Sequence, residues 1–490
     1  MRNSAEPALQ SHAVGGVDRN WQDPEAIVFD TMSQSSFLRR VLLEGRASLM
    51  LAVPLIAGQV SQMLVGLADT VMIGRLGVVP LAAATFANTV LHLPLMFGIG
   101  ITMAVSIRVS QARGANQPSE ARGALRHGLL LGLLVGLLSV GLAYGLIPFL
   151  GVFGQEPAVT HAAGDYFVIV AFSMIPAIGS MAVKNHADAM NHPWPAFWIL
   201  LGGVVLNILM NWVLIWGHWG APALGLEGAG LATLLARTAT LGGLIWWTRR
   251  SSHLSGWVPL RWWRRPDWLA VRSLVKVGLP ASLQLLAEIG AFVAATILIG
   301  TMSKEALASH QVAISCAATV FMFPLGLSMA LTVRMGAAYG AGDGERLRPM
   351  VVSGWFLGLG FTSITATCFL LFNGAMAGWF LTDPATREMA AMLLTVSAAF
   401  QCSDALQILS GGALRGLNDV SVPAWIAVFA YWVISLPLGW WFAFPLHGGV
   451  AGIWWGITIG LTFTAVVLGG RLWVKTTPQI AIPEGSGSSR

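Results

Sequence analysis

The sequence predicts an all-α polytopic membrane protein of twelve transmembrane helices, arranged as two parallel repeats of six. Three observations carry this prediction. Of 490 residues, 55% are hydrophobic and only 10% charged, too few to cover a soluble core of this size. Twelve apolar runs follow one another, each near the length of about 20 residues that a helix needs to cross a hydrocarbon layer of about 30 Å. The stretch 54–117 also returns without a gap as 280–343. Pro54 falls on Pro280, Gly74 on Gly300, Leu81-Ala82 on Leu307-Ala308, Met103-Ala104 on Met329-Ala330, Arg108 on Arg334, and Gly114-Ala115 on Gly340-Ala341. Apolar composition alone does not align proline, glycine and arginine landmarks over such a length. A duplicated hydrophobic chain is the signature of a transporter built from two bundles around a midplane site.

In chain order, residues 1–40 are polar and hold no apolar core of a signal peptide, so a disordered cytoplasmic tail is expected. An N-lobe over 41–248 carries spans at 47–73, 80–106, 124–149, 164–186, 193–217 and 224–248. Residues 249–269 form a cytoplasmic linker. A C-lobe over 270–475 carries spans at 270–299, 306–333, 349–372, 386–411, 423–445 and 449–474, and 476–490 form a second cytoplasmic tail. In the third span Gly128, Gly132 and Gly136 recur every fourth residue, a ridge without side chains on which another helix can seat closely.

Charge gives the orientation. The even-numbered loops and the tails hold most of the basic residues, among them Arg113, Arg122, Arg126, Arg249, Arg250, Arg346, Arg348, Arg415 and Arg471. The odd-numbered loops hold only Arg75, Lys304 and Arg387. Both termini are therefore expected on the cytoplasmic side of the membrane, and an even number of spans per half makes the repeats parallel. The net charge of +6 reports this asymmetry, and no nucleic-acid partner is expected. The linker run from Arg261 to Trp268, rich in Arg and Trp, reads as an interfacial segment that meets headgroups; a nucleic-acid patch is the other reading. Cys316, Cys368 and Cys402 lie in apolar segments at unrelated spacings and build neither a disulfide framework nor a zinc site.

Beyond the first turn of each span, three acids lie inside the spans: Asp69, Glu288 and Asp404. An ionised carboxylate in a bilayer costs at least a few kcal/mol, so each must face the bundle interior or a wet cavity and is a functional candidate. Gln59, Gln62, Gly66 and Asp69 share one helical face, with Pro54 upstream either bending the helix or setting its start. Interhelical tethering is the plain alternative for Asp69. The repeat sets Glu288 opposite Gln62 and Ala295 opposite Asp69, so the halves keep a polar face and move its charge. Gln401, Asp404 and Gln407 share another face, whose counterpart near Ala177 has no acid. Two carboxylates in one lobe can bind a cation together or share a proton. Asn207 and Asn211, four apart, offer amides as interhelical ties or as substrate contacts. Arg237 lies mid-span, pairing with an acid or reaching a cavity. His310 and Gln311 add possible polar ligands. Asp188 and Asp419 follow their spans and are expected at the interface. No nucleotide-binding, metalloprotease or nucleophile-elbow motif appears in a supporting context, so an ion gradient is the expected energy source and no cofactor or enzymatic activity is expected.

At these residues the chain resembles the multidrug and toxic compound extrusion (MATE) family, in its NorM-like branch, from about 40 to 475. The segments that carry the resemblance are 68–74 (ADTVMIG), 219–222 (WGAP) with 228–230 (GAG), 278–280 (GLP), 308–313 (ASHQVA), and 401–404 (QCSD) with 414–416 (LRG). The resemblance implies a V-shaped pair of bundles and a monomeric antiporter exporting organic cations and drugs against Na+ or H+. It assigns the coupling cation, Na+ included, to Glu288 and Asp404, a further functional acid to Asp69, and a bending proline to Pro54, with Pro280 its repeat counterpart. Phe292 matches an aromatic near the cation site, and Phe400 falls where some members carry tyrosine. Gln62, Asn207, Asn211, Phe292, Gln311, Phe400 and Gln401 are the expected cavity lining. Arg237 departs from the family pattern. Two other readings stand beside this one: a flippase for lipid-linked saccharides from the same wider superfamily, favoured only by Arg237, and a non-transporting receptor or scaffold.

Overall fold

The computed structural model describes residues 36–153, 156–262 and 265–477. The expectations for residues 1–35, for Trp263 and Arg264 of the linker, and for the tail beyond 477 lie outside the described residues. Among the described residues, twelve helices are long and apolar enough to cross a membrane. In the first half these are α1 (Phe37–Gly74), α2 (Val78–Gly114), α3 (Pro118–Leu146), α4 (Pro157–Ala189), α5 (Pro193–Trp216) and α6 (Gly225–Arg250). The second half has α7 (Trp268–Gly300), α8 (Lys304–Gly340), α9 (Gly344–Phe380), α10 (Pro384–Gly416), α11 (Ser421–Ala443) and α12 (Gly449–Lys475).

Local chemistry sets the ends of these helices. Pro118, Pro157, Pro193 and Pro384 open helices, where the missing N–H costs nothing. The Asp267 carboxylate accepts from Leu269 N at 2.9 Å, and Ser303 and Asp383 cap α8 and α10 in the same way. At the end of the molecule where residues 36 and 477 lie, here the near end, the chain reverses through left-handed residues. Asn116 (φ 53) follows α2, and its repeat counterpart Gly342 (φ 73) follows α8.

Several helices outrun the apolar runs that mark them. α1 begins at Phe37 rather than 47, α2 continues to Gly114 rather than 106, and α8 to Gly340 rather than 333. The added turns carry Glu44, Arg108 and Arg334, which bond across to the other lobe. Pro54 does not set the start of α1, which runs through it. α11 is interrupted by a π-helical turn, Ala430–Ser435.

The glycine ridge of α3 seats two neighbours: a methyl on Gly128 would strike Val105 of α2, and one on Gly136 would strike Ile175 of α4. Reciprocal contacts of the same kind join the lobes. A methyl on Gly114 would meet the Ala337 carbonyl, and one on Gly340 would meet the Gln111 carbonyl; residues 111 and 337 are repeat counterparts. Gly100 abuts Ser282 and Gly326 abuts Ile56, again a pair related by the repeat. Such reciprocity is what a twofold axis between the halves produces.

Polar bonds reinforce this seam. Arg108 of α2 donates to Ser273 of α7 at 2.8 Å, and its counterpart Arg334 of α8 donates to the Glu44 carbonyl of α1 at 2.6 Å and to the Glu44 carboxylate. Arg346 adds a second bond to that carboxylate at 2.7 Å. Glu44 is wholly buried. Arg346 and Arg415, expected among loop charges, are buried as well. So are Asp188, paired with Lys184 at 2.6 Å, and Asp419, paired with Arg471 and Lys475. Ion pairing, which spacing from a span does not reveal, is what lets Arg346, Asp188 and Asp419 be buried.

The core divides accordingly. One cluster, including Leu51, Ile101, Leu274 and Leu331, is shared by both lobes at the near end. Towards the far end it gives way to separate clusters, around Phe167 in the N-lobe and around Trp454 in the C-lobe. The lobes join at one end and part at the other, which makes the V.

Candidate ion-binding site

In the C-lobe, Gln401, Asp404 and Gln407 lie along one face of α10 and all are buried. Glu288 projects from α7, within electrostatic reach of Asp404 and of Arg415. The π turn of α11 widens the helix and sets Tyr431 against this group. Gln407 Nε2 donates to the Tyr431 hydroxyl at 3.0 Å, Gln407 Oε1 lies 3.1 Å from the same hydroxyl, and the hydroxyl is also within hydrogen-bonding reach of the Glu288 carboxylate. Two carboxylates, a phenol and an amide thus converge in a buried volume. Such hard oxygen donors suit a proton or a small cation.

Aromatic rings wall this group. Phe292 meets Phe400 edge-on at 6.2 Å and Tyr431 at 6.4 Å, and Phe400 meets Trp454 at 5.7 Å. The Gln401 side-chain oxygen accepts from Thr365 at 2.7 Å, while its amide nitrogen, buried, has no partner. His310 is already occupied: Nδ1 accepts from Trp454 at 3.2 Å, and Nε2 lies 3.0 Å from the Thr296 hydroxyl. Gln311 is exposed and bonds only to Ser315 on its own helix.

The N-lobe holds a second polar group. Asn211 of α5 donates to Asp69 of α1 at 2.6 Å and to Asn207 at 3.4 Å, and Asn207 donates to Thr233 of α6 at 3.3 Å. Arg237 lies within electrostatic reach of Asp69 and donates to Ser173 at 2.7 Å. The isolated basic residue of the sixth span therefore has an acid for company. Gln62 is exposed, on the same helical face as Asp69. Pro54 and Pro280 both sit where the lobes touch. Ile56 lies against Gly326, and Ser282 donates to the Phe97 carbonyl at 2.8 Å.

The first and fifth helices of each half thus meet through an acid and a polar partner, Asp69 with Asn211 and Glu288 with Tyr431. Sequence reasoning missed Tyr431 and took Arg415 for a loop charge. The available signal for the first was its rarity: the chain has 4 tyrosines, and a phenol inside an apolar span needs a partner.

This architecture and this placement of carboxylates are those of a polytopic two-bundle transporter fold. The MatE family model matches residues 54–213 and again 280–441, one match to each half, and the chain belongs to that family. A protein of Rhizobium meliloti named "Probable multidrug resistance protein NorM" is 36% identical over 447 residues, covering 90% of this chain and 96% of that protein. A protein of the same name from Bradyrhizobium diazoefficiens is 38% identical over 417 residues, 84% of this chain and 90% of its own. Among solved structures, a MATE protein in a bent conformation superposes with a TM-score of 0.81 at 19% identity, covering 90% of this chain and 98% of that one. A eukaryotic MATE transporter gives a TM-score of 0.81 at 19% identity, covering 90% and 99%. The fold is shared across that distance.

Proposed function

We propose that this chain is a secondary multidrug efflux transporter that exports organic cations in exchange for Na+ or H+, with the exchange centred on Glu288 and Asp404. The observation that carries the proposal is the convergence of both acids with Tyr431 in one lobe of a V whose lobes part at one end. The relatives named for multidrug resistance, which match nearly the whole chain, support the substrate class. Basic residues concentrate at the near end, so that end faces the cytoplasm, with both termini there, in a bacterial inner membrane. The arrangement described is then the outward-open one, and the chain works as a monomer of two lobes, 41–248 and 270–475, joined by the 249–269 linker.

Mechanism follows from charge. With the acids empty and the cavity open inward, carboxylates and aromatic rings attract a cationic amphiphile. Once the lobes rock outward, Na+ or a proton neutralises Glu288 and Asp404, weakens the electrostatic hold on the drug and releases it. The ion-loaded protein returns inward. The flippase reading rested on Arg237 as a free cavity cation; with Asp69 beside it, that support is gone.

The test is efflux of ethidium from proteoliposomes under a Na+ gradient and a pH gradient imposed separately. Export driven by one of them names the coupling ion. Ethidium retained under both, by protein of normal abundance, overturns the proposal.

A further inference from the structure

A groove of about 630 Å³ opens far from the paired acids, between α3, α4, α6 and the linker at the near end of the N-lobe. Its walls are Leu129, Leu130, Leu133, Ile175, Leu241 and Ile245. Its rim is cationic, formed by Arg126 and Arg249. Among the described residues neither arginine has a carboxylate partner. Arg126 bonds only to the neighbouring His127 ring, at 3.2 Å, and its Nε, although enclosed, has no acceptor. Arg249 lies over the Trp262 ring at 5.3 Å, and Trp262 Nε1 is likewise enclosed without an acceptor. The linker is held over the groove by Asp267, whose backbone N–H donates to His127 Nε2 at 3.1 Å.

We infer that this groove binds an anionic glycerophospholipid of the adjoining leaflet, its phosphate between Arg126 and Arg249 and an acyl chain along the leucines of α3. Two unpaired guanidiniums and two unsatisfied donors call for an anion rich in acceptor oxygens. The apolar wall calls for hydrocarbon, and one molecule must supply both. Depth agrees. Arg126 lies about 12 Å along α3 from its start, and Leu133 about 10 Å further in, the order of headgroup and chain. Leu133, Leu134, Leu137 and Leu138 continue the wall onto the exposed face of α3, so a chain can enter from the bilayer. The same charges exclude an organic cation, which separates this groove from the exported substrate. Bound there, the lipid ties the inter-lobe linker to the N-lobe.

The full chain in detergent is examined by native mass spectrometry with dioleoyl phosphatidylglycerol, dioleoyl phosphatidylcholine or inorganic phosphate. Phosphatidylglycerol is expected to be retained in preference to phosphatidylcholine. Arg126→Gln with Arg249→Gln should weaken that retention about tenfold or more and leave phosphatidylcholine unchanged. Leu133→Trp, which fills the groove and keeps both charges, should also lose it, so the test survives poor folding of the double variant. Equal retention of both lipids by the unaltered chain, retention unchanged in the variants, or full displacement by millimolar phosphate would each overturn the inference; the last would mark a free-phosphate site.

Discussion

Gly336 of α8 packs on Ser110 of α2, and the two are the same position of the repeat, so the twofold relating the halves passes between them. A residue on that axis meets its own counterpart, and enlarging it strains both lobes at once. Gly336→Val is expected to wedge the near end apart and draw the far ends together. Spin labels at positions 85 and 304, in a chain freed of its native cysteines, should report a shorter distance between lobes. An unchanged distance would remove the crossing from the mechanism.

Glu288→Gln and Asp404→Asn should each abolish ion-driven ethidium export at normal abundance. If the two acids act as one coupled site, as proposed, the double variant should be no worse than the more damaging single one. Additive, partial losses in transport assays would argue for two independent sites.

Tyr431→Phe removes the hydroxyl that links Gln407 to Glu288 and keeps the ring against Phe292. Loss of one hydrogen bond to a charged group is worth about 1.5–3 kcal/mol, so the coupling ion should bind about tenfold more weakly or worse. Titrating the ion dependence of export reads this directly, and drug affinity measured without the ion should change little.

Asp69→Ala leaves Asn211 without its acceptor and removes the acid within electrostatic reach of Arg237, and should cost about 1–3 kcal/mol of stability, the scale for a buried donor left unsatisfied. Asp69→Asn combined with Arg237→Met should recover most of it. Thermal unfolding of the single and double variants closes this cycle. If the double variant loses the sum of the single losses, the pair is not coupled.

Asp419 gives a pH prediction at the near end. Burial pushes its carboxyl up, but hydrogen bonds from Arg471 and Lys475 outweigh burial and hold it below the ordinary value of 3.8. A depressed folded value contributes stability above the unfolded pKa, and the contribution fades as pH falls through the folded one. Asp419→Asn should lower stability at pH 7 by up to about 1 kcal/mol, and the loss should shrink progressively as pH falls below 3.8. Melting curves across that range provide the check.

Much of this was legible in the sequence, because in lipid the constraints are few and strong. Each crossing shows as an apolar run, and the repeat shows as aligned landmarks. The Gln401, Asp404 and Gln407 face reads directly from spacing, and the rarity of buried acids singles out all three. Helix ends were less legible: the criterion of crossing lipid says nothing about α2 and α8 beyond the bilayer, where they touch each other. Tyr431 was hidden because a π turn breaks the 3.6-residue period that would have placed it. Arg334 and Arg346 were obscured because their pairing with Glu44, not their position in the chain, keeps them from water, and Arg415 because only the fold brings it to Ser328 and within electrostatic reach of Glu288.

The buried Glu44, Arg334 and Arg346 set the terms on which the near end can part. Hydrocarbon faces drawn apart are penalised in proportion to area. Charges drawn apart are handed to water, which solvates them about as well as they solvated one another. On the proposed cycle, this part of the seam would open with the help of hydration, shut while dry and easier to part with each water that enters. A protein that turns its cavity to opposite sides of a membrane needs a closure of this reversible kind.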